Sequence, residues 1–535
     1  MEGRMVMQNK IQIFDSTLRD GAQAEGISFS VEDKMKIMIT LDELGVDYIE
    51  AGNPGSNPKD LDFFERARKV SLKHSKLAAF GSTRRRDIKV EDDDNVKSML
   101  SAETDTIVIF GKSWDFHVTD IIKTTLKENL AMIHDTVAFF HHKNKEVIYD
   151  AEHFFDGYKA NPDYAIKTLE AAVSAGAISL VLCDTNGGIF PDEIQEIVKR
   201  IKSEFSCPIG IHCHNDSGMG VANSVIAVIA GATHVQGTYI GFGERCGNAN
   251  LSTIIADLQL KRGYDCIPKD NLVKLTVTAR RIAEISNVAL NEREPFIGHS
   301  AFAHKGGMHI DGVTKSTKSF EHVSPEAVGN ERHFLMSEVS GRNTILEKIR
   351  QVAPHLDKKS PETDTIMKKL KALEHLGYQF EGAESTFELV IRKELGKYKP
   401  FFELEHFQIF GSQPSSGEYS SSAIVKVKVD GVSEISAAEG DGPVHALDRA
   451  LRKVLNTFYP ELTKVHLSDY KVRVLDTQSA SAAKVRVLIE STDGETAWTT
   501  VGVSTDIIEA SWIALVDSIE YVLLKDLEKK MHIYL

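Results

Sequence analysis

Two histidines in GIHCHND (210–216), the adjacent pair Arg19 and Asp20, and carboxylates at Glu50, Glu152 and Asp184 are the side chains best suited to act together chemically. Residues i and i+2 of an extended strand face the same way, so His212 and His214 present both imidazoles to one side. Two neutral imidazoles and the carboxylate of Asp20 form a donor set for a divalent cation that leaves positions open for substrate. Hydrogen-bonded core histidines share that spacing, so the motif gains weight from what accompanies it. Asn248, in the loop GFGERCGNANL (241–251), either adds a carbonyl oxygen to the ion or caps a turn. Arg19 either braces Glu50 or stabilises an oxyanion growing on a carbonyl beside a Lewis-acidic metal, and the two uses are compatible. Thr185, in DTNGG, either offers its hydroxyl to a carboxylate or caps a helix. Glu152, together with His309 and Asp311 of GGMHIDG (306–312), supplies acid–base candidates. The glycines around His309 suggest a loop able to approach a second surface closely.

These residues need a scaffold that gathers them. Short β-branched runs at 11–14, 48–51, 77–80, 106–110, 146–151, 179–183, 209–214 and 234–237 alternate with longer amphipathic stretches. The stretch 31–44 opens on Ser30 and Asp33, a capping-box pair, and stops at Gly45. Asn161-Pro162 and Phe190-Pro191 place proline where a helix start tolerates it. Eight βα units in succession predict an α/β fold of the closed (β/α)8 TIM-barrel type. An open doubly wound sheet is the runner-up, but it calls for a glycine-rich turn after the first strand, which DSTLRDGAQ is not. In a barrel, Arg19, Asp20, Glu50, Glu152, Asp184, Thr185, His212, His214 and the 241–251 loop all fall at C-terminal strand ends, the rim on which barrel enzymes build active sites.

The chain has 535 residues and a formal net charge of -14. An acidic surface repels phosphate backbones, which argues against nucleic acid as a partner. The basic cluster Arg84–Arg86 is followed by the acidic run 91–94 and reads as a solvated loop. No stretch approaches the ~18 apolar residues of a membrane span, and MEGRMVMQNK has no secretory core, so a cytoplasmic location is expected. Five scattered cysteines without a CxxC pair predict small buried hydrophobes rather than disulfides or a thiolate site.

After residue 275 the rhythm changes, which gives a division into a catalytic barrel (1–275), a helical neck (276–395) and a C-terminal module (396–535). The neck reads as a connector without a core of its own, and GSQPSSGEYSSS (411–422) as a flexible loop. In the module, AIVKVKVDGVSEIS turns at Asp430-Gly431 and is followed by a helix over 445–457. The pattern recurs 63 residues later around Asp493-Gly494, with a helix from about 507 to 524. Each repeat reads as strand, hairpin, strand, helix, an α+β layer for binding or dimerisation.

The motifs FDSTLRDGAQ (14–23), YIEAGNPGSNPKD (48–60), GIHCHND, GFGERCGNANL and FAHKGGMHIDG (302–312) resemble the DRE-TIM metallolyase superfamily. Within it they resemble the branch of 2-isopropylmalate, homocitrate and citramalate synthases. The likeness extends through AFGSTRR, FGKSWDFHVT, YDAEHFFDGYKANPDY, LCDTNGG and VGNER. It implies a Claisen condensation of acetyl-CoA with a small 2-oxo acid, pyruvate giving citramalate for isoleucine biosynthesis. The alternatives are 3-methyl-2-oxobutanoate as acceptor, or a lyase or decarboxylase on the same barrel. The resemblance implies a divalent metal (Mn2+, Mg2+ or Zn2+) on Asp20, His212, His214 and Asn248. It implies catalytic roles for Arg19, Glu152, His309 and Asp311, with substrate contacts from Arg19, Gln23, Glu50 and Thr185. It implies a homodimer whose C-terminal module takes an amino-acid effector, isoleucine. One departure is visible in GTYIGFGERCGN, where the resemblance leads to an asparagine near Ile240, an amide that bears on the metal's surroundings or the pocket wall.

Overall fold

Eight strands, β1 (Gln12–Asp15), β2 (Tyr48–Glu50), β3 (Lys76–Ser82), β4 (Thr106–Lys112), β5 (Glu146–Glu152), β6 (Ser179–Asp184), β7 (Ile209–Cys213) and β8 (His234–Gly237), pair in parallel in chain order. β8 then pairs with β1, Gln12 opposite His234 and Asp15 opposite Gly237, which closes the barrel and excludes the open sheet. The computed structural model describes residues 10–55, 58–334, 346, 349–350, 352–357, 360–380, 382–412, 420–475 and 483–533. None of its helices is long and apolar enough to cross a membrane, among the described residues.

The strands are short, β-branched and buried on both faces, as a barrel wrapped in helices requires. The lumen is filled by Phe14, Tyr48, Ala78, Val108, Ile148, Val181 and Cys183, a plug that supports polar residues further along the strands. Local signals set the surrounding helices. Ser30 Oγ accepts from the Asp33 backbone N–H at 3.1 Å and caps the helix Val31–Leu44, which ends at Gly45 with φ 96°. Asn161 caps the helix Pro162–Ser174, and Phe190 precedes the helix Pro191–Glu204. The helix Leu275–Ile285 packs on Val31–Leu44 and so belongs with the barrel.

Packing divides the chain into two compact units, residues 1–301 with 323–331, and residues 302–322 with 332–535. In the second, β9 (Ala303–His304) pairs in parallel with β10 (His333–Phe334), and GGMHIDG forms the helix Gly307–Lys315 rather than a loop. Its glycines sit at the N-terminus and at Gly312, where they do not interrupt the first turn. The segment expected to be a coreless neck has a hydrophobic cluster of its own: Ile366 and Leu370 of the helix Pro361–Leu376 meet Phe387 and Ile391 of the helix Glu384–Glu394 around Phe380. Apolar spacing of four on both helices produces that seam.

The C-terminal module has two antiparallel sheets, β11 (Glu403–Ser412), β12 (Ser420–Val429), β13 (Val432–Gly440), and β14 (His466–Val474), β15 (Val485–Thr492), β16 (Ala497–Ser504). The helices Pro443–Leu455 and Ile507–Ile533 follow them. Each repeat therefore has three strands and a helix, one strand more than the hairpin pattern predicts. β11 and β14 carry charged residues on edge strands, which weakens their alternation. Gly411, Ser412 and Ser420–Ser422, expected in a loop, are strand residues, while 413–419 lie outside the described residues. Asp430 (φ 46°) and Gly431 (φ 87°) make the hairpin turn their dipeptide calls for. Two of the five cysteines depart from the expected burial: Cys246 is exposed and Cys207 half-buried, both in segments outside the strands.

Candidate functional site

Beyond β1 the chain folds into a tight turn, with the backbone N–H groups of Arg19 and Gly21 both donating to Ser16 O. This brings Asp20 over the lumen beside the end of β7. Asp20 Oδ2 lies 3.3 Å from His212 Nε2 and 3.8 Å from His214 Nε2, and one donor atom from each residue lies within 4.8 Å of the others. All three side chains are buried. Asn248 bridges to His214 from the loop after β8, its Nδ2 donating to Phe242 O at 3.1 Å. Its buried Oδ1 has no hydrogen-bond partner among the described residues. Gly243 (φ 157°) permits this approach, since a Cβ there would stand 2.2 Å from Asn248 Nδ2. Two imidazole nitrogens, a carboxylate and an orphaned amide oxygen suit a divalent cation of borderline or hard character. The residues therefore fit the metal that the motifs imply.

The electrostatics agree with that fit. Burial alone would raise the pKa of Asp20, but Arg19, His212 and His214 hold it well below the usual carboxylate range. Burial, then the neighbouring His212, push His214 down to about 4, so it is neutral near pH 7 and one ring nitrogen has a lone pair to offer. Burial would lower His212 too, but the hydrogen bond and charge of Asp20 raise it. A divalent cation held by these residues would compete with protons for them.

Arg19 is fixed from three sides. Its Nε donates to Glu50 Oε2 at 2.7 Å, its Nη1 is 3.4 Å from Asp20 Oδ2, and its guanidinium lies 3.8 Å from the centre of the Phe80 ring. Phe80 stacks on Phe110 at 5.0 Å. Glu50 is fully buried and also accepts from Ser16 Oγ. The expectation that Glu50 contacts substrate gives way to a role beneath Arg19, because no face of it is open.

Glu152 ends β5 and is ion-paired with Lys112, its register partner on β4. Thr185 does not cap a helix: its Oγ1 accepts from the His153 backbone N–H at 2.9 Å, which leaves the hydroxyl proton free to donate. Asp184 accepts from the backbone N–H groups of Gly188 and Ile189, which shapes the loop after β6. Gln23 is exposed at the end of the helical turn Gly21–Gln23. His309 and Asp311 belong to the second unit and are both exposed. His309 stacks on Phe320 at 4.0 Å, and Asp311 accepts from Lys315 Nζ at 2.6 Å. Ile240 has φ 55° and ψ 17°, a left-handed backbone that asparagine adopts more readily than a β-branched residue. The backbone would therefore suit an asparagine, and nothing in the structure explains the isoleucine.

Sequence reasoning passed over Phe80, Phe110, Asp150 and Gln236, all near this rim. The signals existed: β3 and β4 each carry Phe-Gly near their ends, and Asp150 and Gln236 are polar residues within fully buried stretches of strand.

A model of the HMGL-like family matches residues 10–288. The homocitrate synthase post-HMGL domain-like family matches 296–377, and the LeuA allosteric (dimerisation) domain 381–523. Among curated relatives, the (R)-citramalate synthase of Aquifex aeolicus is 52% identical over 98% of this chain and 99% of its own length. That of Geobacter sulfurreducens is 50% identical over 97% and 98%. A probable 2-isopropylmalate synthase of Methanopyrus kandleri is 31% identical over 95% and 98%.

Proposed function

The chain belongs to the HMGL-like family and, along its whole length, to the (R)-citramalate synthases, and from that premise we propose that it condenses acetyl-CoA with pyruvate. The acetyl methyl loses a proton, its carbon bonds to the keto carbon, and water cleaves the thioester to give citramalate and free CoA. The observation that carries this reading is the convergence of Asp20, His212 and His214 beside the restrained guanidinium of Arg19.

Asp20, His212 and His214, with Asn248, are the residues to hold a divalent metal, which when bound supplies Lewis-acid polarisation of the keto group. Arg19 stabilises the oxyanion as it grows; one such donor is often worth about 3–4 kcal/mol. Glu50 keeps that guanidinium in place. Thr185 donates its free hydroxyl proton to the oxo-acid carboxylate, and Gln23 is a further proposed substrate contact. Glu152, held by Lys112, is the base proposed for the methyl proton, which needs a base within hydrogen-bond reach; His309 and Asp311 are the other acid–base candidates. The Phe80–Phe110 stack beside Arg19 is the wall proposed to discriminate pyruvate from 3-methyl-2-oxobutanoate.

A catalytic barrel that runs on through the helix Leu275–Ile285, a neck to residue 395 and a regulatory module beyond accompany this reading. The match to an allosteric dimerisation domain supports a homodimer that binds an end-product amino acid, isoleucine. Calorimetric titration of the full chain with isoleucine, leucine and valine tests the effector, and absence of heat with all three removes it.

Release of CoA, followed with a thiol reagent across a panel of 2-oxo acids and added Mn2+, Mg2+ or Zn2+, tests the reaction. The expected result is CoA release that requires a metal and is fastest with pyruvate. A higher kcat/KM for 3-methyl-2-oxobutanoate, or cleavage of citramalate with no condensation, would overturn it.

A further inference from the structure

Gln236 is wholly buried near the end of β8, directly opposite His212 in the β7–β8 register. Its side chain makes two hydrogen bonds. Oε1 accepts from His212 Nδ1 at 3.1 Å, and Nε2 donates to Asp150 Oδ1 at 3.0 Å. Asp150 belongs to β5, three strands away, and is buried, so the second bond spans the barrel lumen.

With Asp150 ionised, the two bonds leave one arrangement of hydrogens. An amide is ambiguous by itself, because its oxygen and nitrogen can be exchanged by a half turn. In the structure the amide NH2 faces Asp150 and the amide oxygen faces His212, the orientation that an acceptor-only carboxylate at Asp150 dictates. An accepting oxygen at Nδ1 requires a hydrogen there. The neutral ring then has its lone pair on Nε2, the atom that faces Asp20.

We infer that Gln236, oriented by Asp150, is the positioning residue of the metal centre: it holds His212 in the tautomer and ring orientation that offers Nε2 to the ion. This rests on Asp20, His212 and His214 being a metal site. Gln236 acts only through His212. Partners of this kind typically contribute roughly 10–100-fold in metal affinity.

Mn2+ binding to the chelator-stripped full chain, measured by the loss of the free-ion electron paramagnetic resonance signal, tests the inference without reference to turnover. Gln236→Leu is expected to weaken Mn2+ binding roughly 10–100-fold. The paired exchange Gln236→Glu with Asp150→Asn reverses the donor and acceptor between positions 236 and 150 while still presenting an accepting oxygen to Nδ1. It is expected to bind Mn2+ within a few-fold of the unmodified chain. A Gln236→Leu chain that unfolds at the unmodified temperature and binds Mn2+ equally tightly overturns the inference. So does a paired exchange that folds but binds no better than Gln236→Leu. Mn2+ binding that survives His212→Ala instead overturns the metal site itself.

Discussion

Replacing Glu50 probes the part of the site with the least slack. Glu50 has no exposed surface, and Arg19 beside it is 13% exposed, so neither charge can turn to water for relief. Arg19→Ala leaves the Glu50 carboxylate buried without its cation, a loss of about 3–5 kcal/mol in stability. It also removes the oxyanion donor, about 10²–10³-fold in kcat. Glu50→Gln keeps a neutral acceptor for Arg19 Nε but loses the charge-assisted part of the bond. That part is about 1.5–3 kcal/mol, or roughly 10–100-fold in kcat if it serves wholly to hold the guanidinium. If Glu50 acts only through Arg19, the double variant is no slower than Arg19→Ala alone and regains most of its lost stability, because the stranded charge is gone. The assays are kcat from CoA release and barrel unfolding in denaturant, arranged as a double-mutant cycle. A double variant whose kcat shows the product of the two single losses would refute the reasoning and give Glu50 an independent role.

Phe110→Ala opens the wall beside Phe80 and should raise kcat/KM for 3-methyl-2-oxobutanoate relative to pyruvate by about 10–200-fold, while an unchanged ratio places the wall elsewhere. Ile240→Asn relieves a left-handed backbone at a β-branched residue and should stabilise the barrel by about 1 kcal/mol in denaturant titration. Unaltered or lower stability shows that the isoleucine side chain compensates its strain. Glu520 is buried where it accepts from the Phe401 backbone N–H, and burial pushes its pKa from the ordinary 4.5 up to about 7 despite that bond. The folded module then holds a proton that the unfolded chain has released between those values. Its contribution, about 3 kcal/mol, is full below the ordinary carboxylate value and lost as pH rises through about 7. Glu520→Gln should flatten the stability of the C-terminal module across that range, and an unaltered pH dependence would show that Glu520 is not its source.

Much of the barrel can be read from the chain because its signals are local. Ser30 with Asp33, Gly45, Asn161-Pro162 and Phe190-Pro191 each act within a turn or two, and the structure uses every one at the expected place. The added strands β11 and β14 were hidden because an edge strand need not alternate cleanly, and the helix over GGMHIDG because glycine biases a reader toward loops.

What the sequence by itself determined is that Asp20, His212 and His214 fall on one rim of the barrel, since βα order brings the strand ends together and strand alternation points the two imidazoles one way. What only the tertiary structure decided is how those donors are held. Glu50 lies under Arg19, the Phe80 ring against its guanidinium, and Gln236 joins His212 to Asp150 across 86 residues of chain. Such contacts depend on barrel closure and strand stagger. Orientation of a buried polar side chain is set by the one partner within hydrogen-bond reach, and linear spacing carries no record of which residue that is.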